Sequence, residues 1–535
     1  MANDVQKDLA EIRPIRIKPE HIVLGILIVF FVAANLIWLH EETAPVSWDQ
    51  SAHSGISLKF YRIFKSFRVF SSDYAHLPKR LLDVTHFYPP FFHMTTVPLT
   101  LIFGFSPSTV CATHLLYLAL LVFSIYAIGK YFLNPWVGVG AAALTLLFPI
   151  SFGLSRTALI DFPLMAMVTL VQYLLLKSRG GTAIKWSWLL GLAMGFCFLT
   201  KWTGPVFFVG TSLFVFIASW KSPKPSKKNM LLALAICLAV GLFIALPWLI
   251  RSFPELVQMN RYFNEVDVVR RGLPKSFALQ SFILYWHVIT RGLISNILLP
   301  FIVIGIVGFF LWAKKWKLLG YLGCWILPAY IFFVGLPNKD NRFILPILPA
   351  IALLTAAGLS ALPWQFIRKA VWLALLLAGL LQFFMTSFGW PKKMEQDYAR
   401  LPLKEDWSIN AILDDLEKRF DRNPIVVGFL PNRPYFNAGT LNFYKNLREL
   451  PYDIRGLGDT PITPDLVTVC DVFILKTAKL AVPWVALYRD QFFKEFKEKG
   501  PRPFGFGWGR DFSLPDKTKA YIFINLKHLP PAKGT

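Results

Sequence analysis

The sequence is short of charge. Only 16% of its 535 residues are Asp, Glu, Lys or Arg, while 55% are hydrophobic, which excludes an ordinary soluble protein of this length. Acidic residues are the scarcer kind, 32 against 56 Lys plus Arg, leaving a formal net charge of +24. The basic residues sit in short clusters between apolar runs, so membrane topology accounts for them better than nucleic acid does, and no nucleic-acid partner is expected. Cysteine is scarce as well. Of five, Cys111, Cys197, Cys237 and Cys324 lie in apolar runs and Cys470 in a polar region, with neither a disulfide framework nor a metal-ligand spacing. No repeat of fixed period is visible.

What is present is a succession of apolar runs long enough to cross a bilayer. The first, from His21 to about Leu39, follows a basic leader holding Lys7, Arg13, Arg16 and Lys18. With no small-residue cleavage site behind it, it reads as an uncleaved helix with a cytoplasmic N-terminus. Ten more spans are expected at about 109 to 129, 136 to 154, 158 to 176, 187 to 200, 203 to 219, 229 to 250, 295 to 312, 318 to 336, 343 to 362 and 369 to 388. The apolar stretch Met94 to Phe105 is short and broken by Pro98 and Gly104, so it is assigned to the interface. Eleven spans place the loops rich in Lys and Arg inside, as the positive-inside rule requires. The expected fold is therefore a polytopic α-helical membrane protein with an extracytoplasmic C-terminal α/β domain. Its parts are a leader over 1–20, a membrane domain over 21–388 with large outer loops at 41–108 and 251–295, and a soluble domain over 389–535.

Within the first outer loop, residues 51 to 70 put Ile56, Phe60, Ile63, Phe64, Phe67 and Phe70 on one stripe and Lys59, Arg62, Lys65 and Arg68 on another. That pattern predicts an amphipathic interfacial helix. In the tail, Pro424 to Leu430, Val472 to Lys476 and Ala520 to Leu526 read as strands, and Asn437 to Leu450 and Trp484 to Lys499 as helices.

The ionisable residues are absent from the middle of the spans, where an ion-coupled transporter would need them. They cluster instead at the expected outer ends: Asp49, Arg156, Asp161, Lys201, Arg251, Lys339, Asp340 and Arg342. Asp49 follows Trp48 in an apolar neighbourhood and is a candidate general base, against an alternative role as a helix cap. Arg156 and Asp161 open a helix, either as site residues or as a local ion pair. Lys201 interrupts two apolar runs, and Arg342 opens a span; both suit a phosphate, although snorkelling and an ordinary turn are the plainer alternatives.

Five motifs follow one another in order: Asp49 after the first span, Tyr88-Pro89-Pro90, Arg156 to Pro163 (Arg-x-x-x-x-Asp-x-Pro), Leu199-Thr200-Lys201, and Asn338-Lys339-x-x-Arg342-Phe343-x-x-Pro346. In that order the chain resembles the GT-C superfamily of membrane glycosyltransferases, in particular its protein O-mannosyltransferase and lipid A aminoarabinose transferase branch. The resemblance implies an inverting hexosyl- or pentosyltransferase that takes a sugar from a polyprenyl-phosphate donor and passes it to a lipid, glycan or protein acceptor outside the cytoplasm. It also implies a multi-pass cell-membrane location. Asp49 and Asp161 would be catalytic, Lys201, Arg342, Arg156 and Lys339 would bind the donor phosphate, and Trp48, His53, Tyr88 and His93 would line the substrate cavity. The sequence names no cofactor and leaves a divalent metal open. Gln50 stands where relatives often carry a second acid after the Asp, Tyr88-Pro89-Pro90 stands where the aminoarabinose transferases have Glu-Lys-Pro, and the tail is not a β-trefoil. A lipid or polysaccharide transporter, or flippase, is the alternative from another functional class.

Overall fold

The computed structural model describes residues 18–67, 76–85, 87–179, 183–222 and 226–528. The leader residues Lys7, Arg13 and Arg16, with Arg68 and Phe70 of the amphipathic stripe, lie outside these segments.

Among the described residues six helices are long and apolar enough to cross a membrane: Pro19–Glu41, Pro107–Phe132, Lys227–Arg271, Trp316–Gly335, Asn341–Ser360 and Gln365–Ser387. A pair bent by 106°, Leu279–Ile294 and Leu299–Ala313, makes up to seven. The remaining expected spans are short: three fall below their expected length, while Ile184–Thr200 begins before the expected 187. Pro135–Leu147 has 13 residues, Asp161–Lys177 and Ile184–Thr200 have 17 each, and Val209–Trp220 has 12. At a rise of about 1.5 Å per residue these fall short of a hydrocarbon core of about 30 Å. Eleven spans of crossing length are therefore not seen among the described residues. The breaks have local causes: Phe148-Pro149 stops one helix, and Gly204-Pro205 diverts another into a 3-10 turn. The expected 251–295 loop is also largely helical. The Lys227 helix runs on through Pro247 and Pro254 to Arg271 and stops at Gly272, whose φ of +61° a glycine accepts without strain.

Asp161–Lys177 is the innermost helix, with 14 buried residues among its 17. A helix apolar on every side must be surrounded by others, and this one leads with its only acid. Elsewhere the bundle closes through small residues. Gly305 and Gly308 face Thr355 and Gly358 so tightly that a Cβ on Gly358 would stand 1.7 Å from the Gly305 carbonyl oxygen.

The amphipathic segment is a helix, Trp48–Ser66. Its Phe60 is fully buried and packs with Val84 and Val97, together with Ile56, Ile63 and Phe64. The Met94 to Phe105 stretch forms two short helices, Phe91–Thr95 and Val97–Phe103, ending at Gly104 with φ +81°.

The tail is a five-stranded mixed sheet in the order Asp453–Gly456, Val426–Phe429, Val472–Lys476, Lys519–Asn525, Phe506–Ser513. The first three strands are parallel and the last two join antiparallel. Alternate residues feed two apolar cores: Val427 and Phe429 on one face, Phe473 and Leu475 on the other. The helices Ile409–Phe420, Ala438–Leu447 and Leu487–Lys499 cover the sheet. The helix Ile409–Phe420 and the strands Asp453–Gly456 and Phe506–Ser513 are elements that the sequence pattern did not announce.

The tail is fastened to the start of the first loop. The amides of Thr43 and Ala44 donate to the Leu403 carbonyl at 2.9 and 3.1 Å, Arg400 pairs with Glu42 at 2.6 Å, and Thr440 donates to the Val46 carbonyl at 2.8 Å. Residues 42–46 lead directly into the helix that carries Asp49, so these bonds fix where that helix begins.

Candidate active site

A cavity of about 660 Å³ opens where the helix bundle meets the tail. Its membrane-half lining includes Trp48, Asp49, His53, Tyr88, Asp161, Lys201 and Arg342, and its tail lining includes Tyr398, Arg400, Asn432, Tyr435 and Trp484.

Each charged group is placed by a helix end. Ser47, with extended backbone, precedes the Trp48–Ser66 helix and puts Asp49 in its first turn, where the helix dipole favours an acid. Asp161 is the first residue of its own helix. Lys201 terminates Ile184–Thr200, with its amide on the Cys197 carbonyl at 3.2 Å, and a cation suits that end. Arg342 lies in the 3-10 turn Asn341–Ile347, whose N-cap, Asp340, accepts the Arg342 amide at 3.1 Å.

These ends converge on Arg342. One guanidinium nitrogen pairs with Asp49 Oδ2; Nε lies 3.4 Å from Asp340 Oδ1 and 3.9 Å from Asp161 Oδ2. Lys201 Nζ meets Asp161 Oδ1 at 2.7 Å and sits 4.4 Å from the centre of the Phe343 ring. Asp161 is buried, at 3% side-chain exposure, whereas Asp49 is 45% exposed. Asp49 does not stand alone in apolar surroundings, nor does it cap its helix. It is a half-open carboxylate held by an arginine, with its second oxygen free of that pair.

His53, one turn after Asp49, lies behind it, with Nδ1 3.0 Å from His93 Nε2 and its ring 4.4 Å from that of Tyr88. Burial holds both imidazoles neutral: it carries His53 well below the usual histidine range and His93 down to about 3. Burial likewise raises the Tyr88 and Tyr398 phenols, reinforced in both by nearby carboxylates. Tyr398 donates to Asp340 Oδ1 at 3.4 Å. Gly153 lets this strap come close, since a Cβ there would stand 2.6 Å from the Tyr398 backbone.

Three of the sequence-predicted site residues lie elsewhere. Arg156 is buried among neutral partners: Nε donates to Asn35 Oδ1 at 2.5 Å and Nη1 to Ser387 Oγ at 2.8 Å, with the rings of Trp38, Phe152 and Phe383 within 5.5 Å. Five residues from Asp161, it points into the bundle instead of the cavity. Lys339 is buried with its ammonium on the carbonyls of Val334 and Leu336, closing the preceding helix. His93 is fully buried behind His53 and does not reach the cavity wall. The sequence reading left out Asp340 as a holder of Arg342, and Arg271, Tyr398, Arg400 and Tyr435 as lining residues. Among the described residues no group of three His, Cys, Asp or Glu side chains is placed to hold a metal ion.

Residues 88–250 match the family model described as dolichyl-phosphate-mannose-protein mannosyltransferase, a segment that takes in Tyr88, Asp161 and Lys201. No curated protein sequence matches the chain. Among solved structures, it is similar to ArnT from Cupriavidus metallidurans bound to undecaprenyl phosphate, at 11% identity and a TM-score of 0.54 over 96% of this chain and 99% of that one. It is also similar to the Archaeoglobus fulgidus oligosaccharyltransferase AglB in complex with an inhibitory peptide and a dolichol-phosphate, at 12% identity and a TM-score of 0.55 over 96% of this chain and 75% of that one. The apo form of the A. fulgidus enzyme gives 13% identity and 0.57 over 95% and 74%. The chain has the fold of the GT-C superfamily of membrane glycosyltransferases.

Proposed function

We propose that this protein is an inverting glycosyltransferase that moves a sugar from a polyprenyl-phosphate carrier to an acceptor at the extracytoplasmic face of the membrane. The observation that carries this reading is the meeting of Asp49, Asp161, Lys201 and Arg342 at one cavity wall. A phosphate leaving group is already a stable anion, so departure needs fixed cations rather than a protonated acid. Lys201 and Arg342 are such cations, and the Arg342 fork can grip two phosphate oxygens.

In the reaction, an acceptor O–H or N–H attacks the anomeric carbon as the carbon–oxygen bond to phosphate breaks. The proton passes to Asp49, and the polyprenyl phosphate leaves with the bonding pair. Asp161 touches neither reacting atom in this scheme; it holds Lys201 and Arg342 at the same place. Before the donor arrives, Arg342 is shared among three carboxylates. An incoming phosphate competes for it and loosens its grip on Asp49, so donor binding readies the base.

The test is mass spectrometry of the cell envelope from cells carrying the wild-type gene, no gene, or Asp49→Asn. Asp49→Asn should lose the transferred sugar while the protein remains folded and still binds undecaprenyl phosphate. Unchanged transfer in that variant would remove Asp49 from the chemistry.

A further inference from the structure

The histidine pair beside Asp49 has a defined proton order. His93 Nδ1 lies 3.2 Å from the Pro89 carbonyl oxygen. A carbonyl can only accept, so this nitrogen carries the proton. A neutral His93 then has a bare Nε2, and His53 Nδ1, 3.0 Å away, must donate to it. The proton of His53 is thereby committed inward, and its Nε2, the nitrogen left to the cavity that His53 lines, is a bare acceptor.

A second proton would break this order, and the surroundings oppose one. Both rings are 2% exposed or less. Arg342, Lys201 and His114 all oppose a positive charge on His53. On the neighbouring elements the Tyr88 ring covers one face, while the carboxylates that could favour an imidazolium, Asp49 and Asp161, are already engaged by Arg342 and Lys201.

We infer that His53 is a positioning residue that accepts a hydrogen bond from a substrate hydroxyl through an unprotonated Nε2, with His93 and the Pro89 carbonyl fixing the tautomer. A bare nitrogen repels the oxygens of a phosphodiester donor, which carries no proton to share with it, and welcomes an O–H. Phosphate is thus directed to Lys201 and Arg342, and a hydroxyl of the donor sugar or of the acceptor to His53. The hydroxyl assignment rests on the glycosyltransferase reading, but the tautomer does not.

The test has two parts, both on the full-length protein in lipid nanodiscs or in cells. The first is nitrogen NMR of protein labelled at histidine with nitrogen-15, His53 being assigned by its loss in His53→Gln. Between pH 5.5 and 8 His53 should show the Nδ1-protonated neutral form, and His93→Phe should release it into a mixture of tautomers. An imidazolium, an Nε2-protonated form, or no response to His93→Phe overturns the proton order whatever the protein's activity. The second uses undecaprenyl phosphate and undecaprenyl-phosphate mannose as probes, in an Asp49→Asn background that traps the donor, alongside envelope transfer in cells. If the donor sugar supplies the hydroxyl, His53→Phe weakens the mannose probe about tenfold and leaves bare undecaprenyl phosphate unchanged. If the acceptor supplies it, both probes keep their affinity and transfer falls about tenfold. Weakened binding of bare undecaprenyl phosphate, or no change in either readout, overturns the hydroxyl role. Active Asp49→Asn protein would instead sink the function, leaving the NMR result standing.

Discussion

Arg342 and Arg156 are both nearly shut off from solvent, yet their surroundings differ in kind. Arg342 is ringed by Asp49, Asp161 and Asp340 on a cavity wall, whereas Arg156 is held by an amide, a hydroxyl and aromatic faces inside the bundle. In the proposed reaction the first is the cation whose carboxylate partners give way to a phosphate. The second has Nε and Nη1 turned to neutral acceptors that stay put, with Nη2 among aromatic rings, and serves as a pin joining Pro19–Glu41 to Gln365–Ser387. Whether a buried arginine is available for ligand thus depends on what closes around it, not on the helix end that carries it.

The largest effect that this contrast implies is at Arg342. Arg342→Gln should lower envelope transfer by about 10²–10³-fold, the usual scale for losing one preorganised donor to a developing anion, and weaken undecaprenyl phosphate binding in parallel. Gly153→Val comes next. Its side chain would press on the Tyr398 backbone, which reaches Asp340 and through it Arg342, and a shift of about 1 Å can cost up to about 10²-fold. A transfer assay showing no loss would mean that the strap does not position Arg342. Arg156→Met should leave donor affinity per folded molecule unchanged and destabilise the protein by about 1–3 kcal/mol, because the Asn35 and Ser387 oxygens lose their donor in an apolar bundle. A thermal-melt experiment would show it. Should Arg156→Met instead abolish phosphate binding and melt normally, the contrast drawn above fails.

Acid offers a separate lever. His93 sits at about 3 in the fold against 6.5 for an unhindered histidine, so between those values the unfolded chain binds the extra proton. Stability is therefore fully present above pH 6.5 and falls as pH drops toward 3. The loss at pH 5 is about 2 kcal/mol for this one histidine. His53 is held neutral in the same way, so His93→Phe should lessen the fall in melting temperature between pH 6.5 and 5, and His93→Phe combined with His53→Phe should lessen it further. An unchanged slope would assign the acid sensitivity elsewhere.

How much of this was readable beforehand depended on contrast with the background. Asp161, Lys201 and Arg342 are conspicuous because each charge adjoins an apolar run, where desolvation makes an idle charge costly, and Asp49 because it opens the amphipathic stretch after the first span. Tyr398, Arg400 and Tyr435 come from a tail in which polar residues are ordinary, and only tertiary packing brings them beside the first loop. Arg271 lies in the stretch from 251 to 295 that reads as an outer loop, whereas the helix carries on through Pro247 and Pro254 and brings it to the cavity. The apolar runs located the helices, but hydropathy does not register Phe148-Pro149 or Gly204-Pro205 as breaks, so the spans were drawn too long. The two missed strands are both sheet edges, one of only four residues and one with an exposed Trp508 and a bulge between Trp508 and Arg510, so the alternation is weak in both.

The smallest predicted effect is at Lys339, and it isolates what the sequence motif alone is worth. Lys339 stands three residues before Arg342 in the same polar turn, so by spacing it is as good a phosphate ligand. Its ammonium, however, is spent on the Val334 and Leu336 carbonyls, and burial pulls its pKa below the usual lysine range. Releasing it to a ligand would strip those carbonyls of their donor. Lys339→Met, which keeps the length and loses the charge, should therefore leave undecaprenyl phosphate affinity and transfer within about twofold, at a stability cost of about 1 kcal/mol from the lost helix-end bonds. A tenfold loss of affinity at unchanged melting temperature would show that motif position outranks the local bonding, and Arg156 would then have to be reconsidered as well.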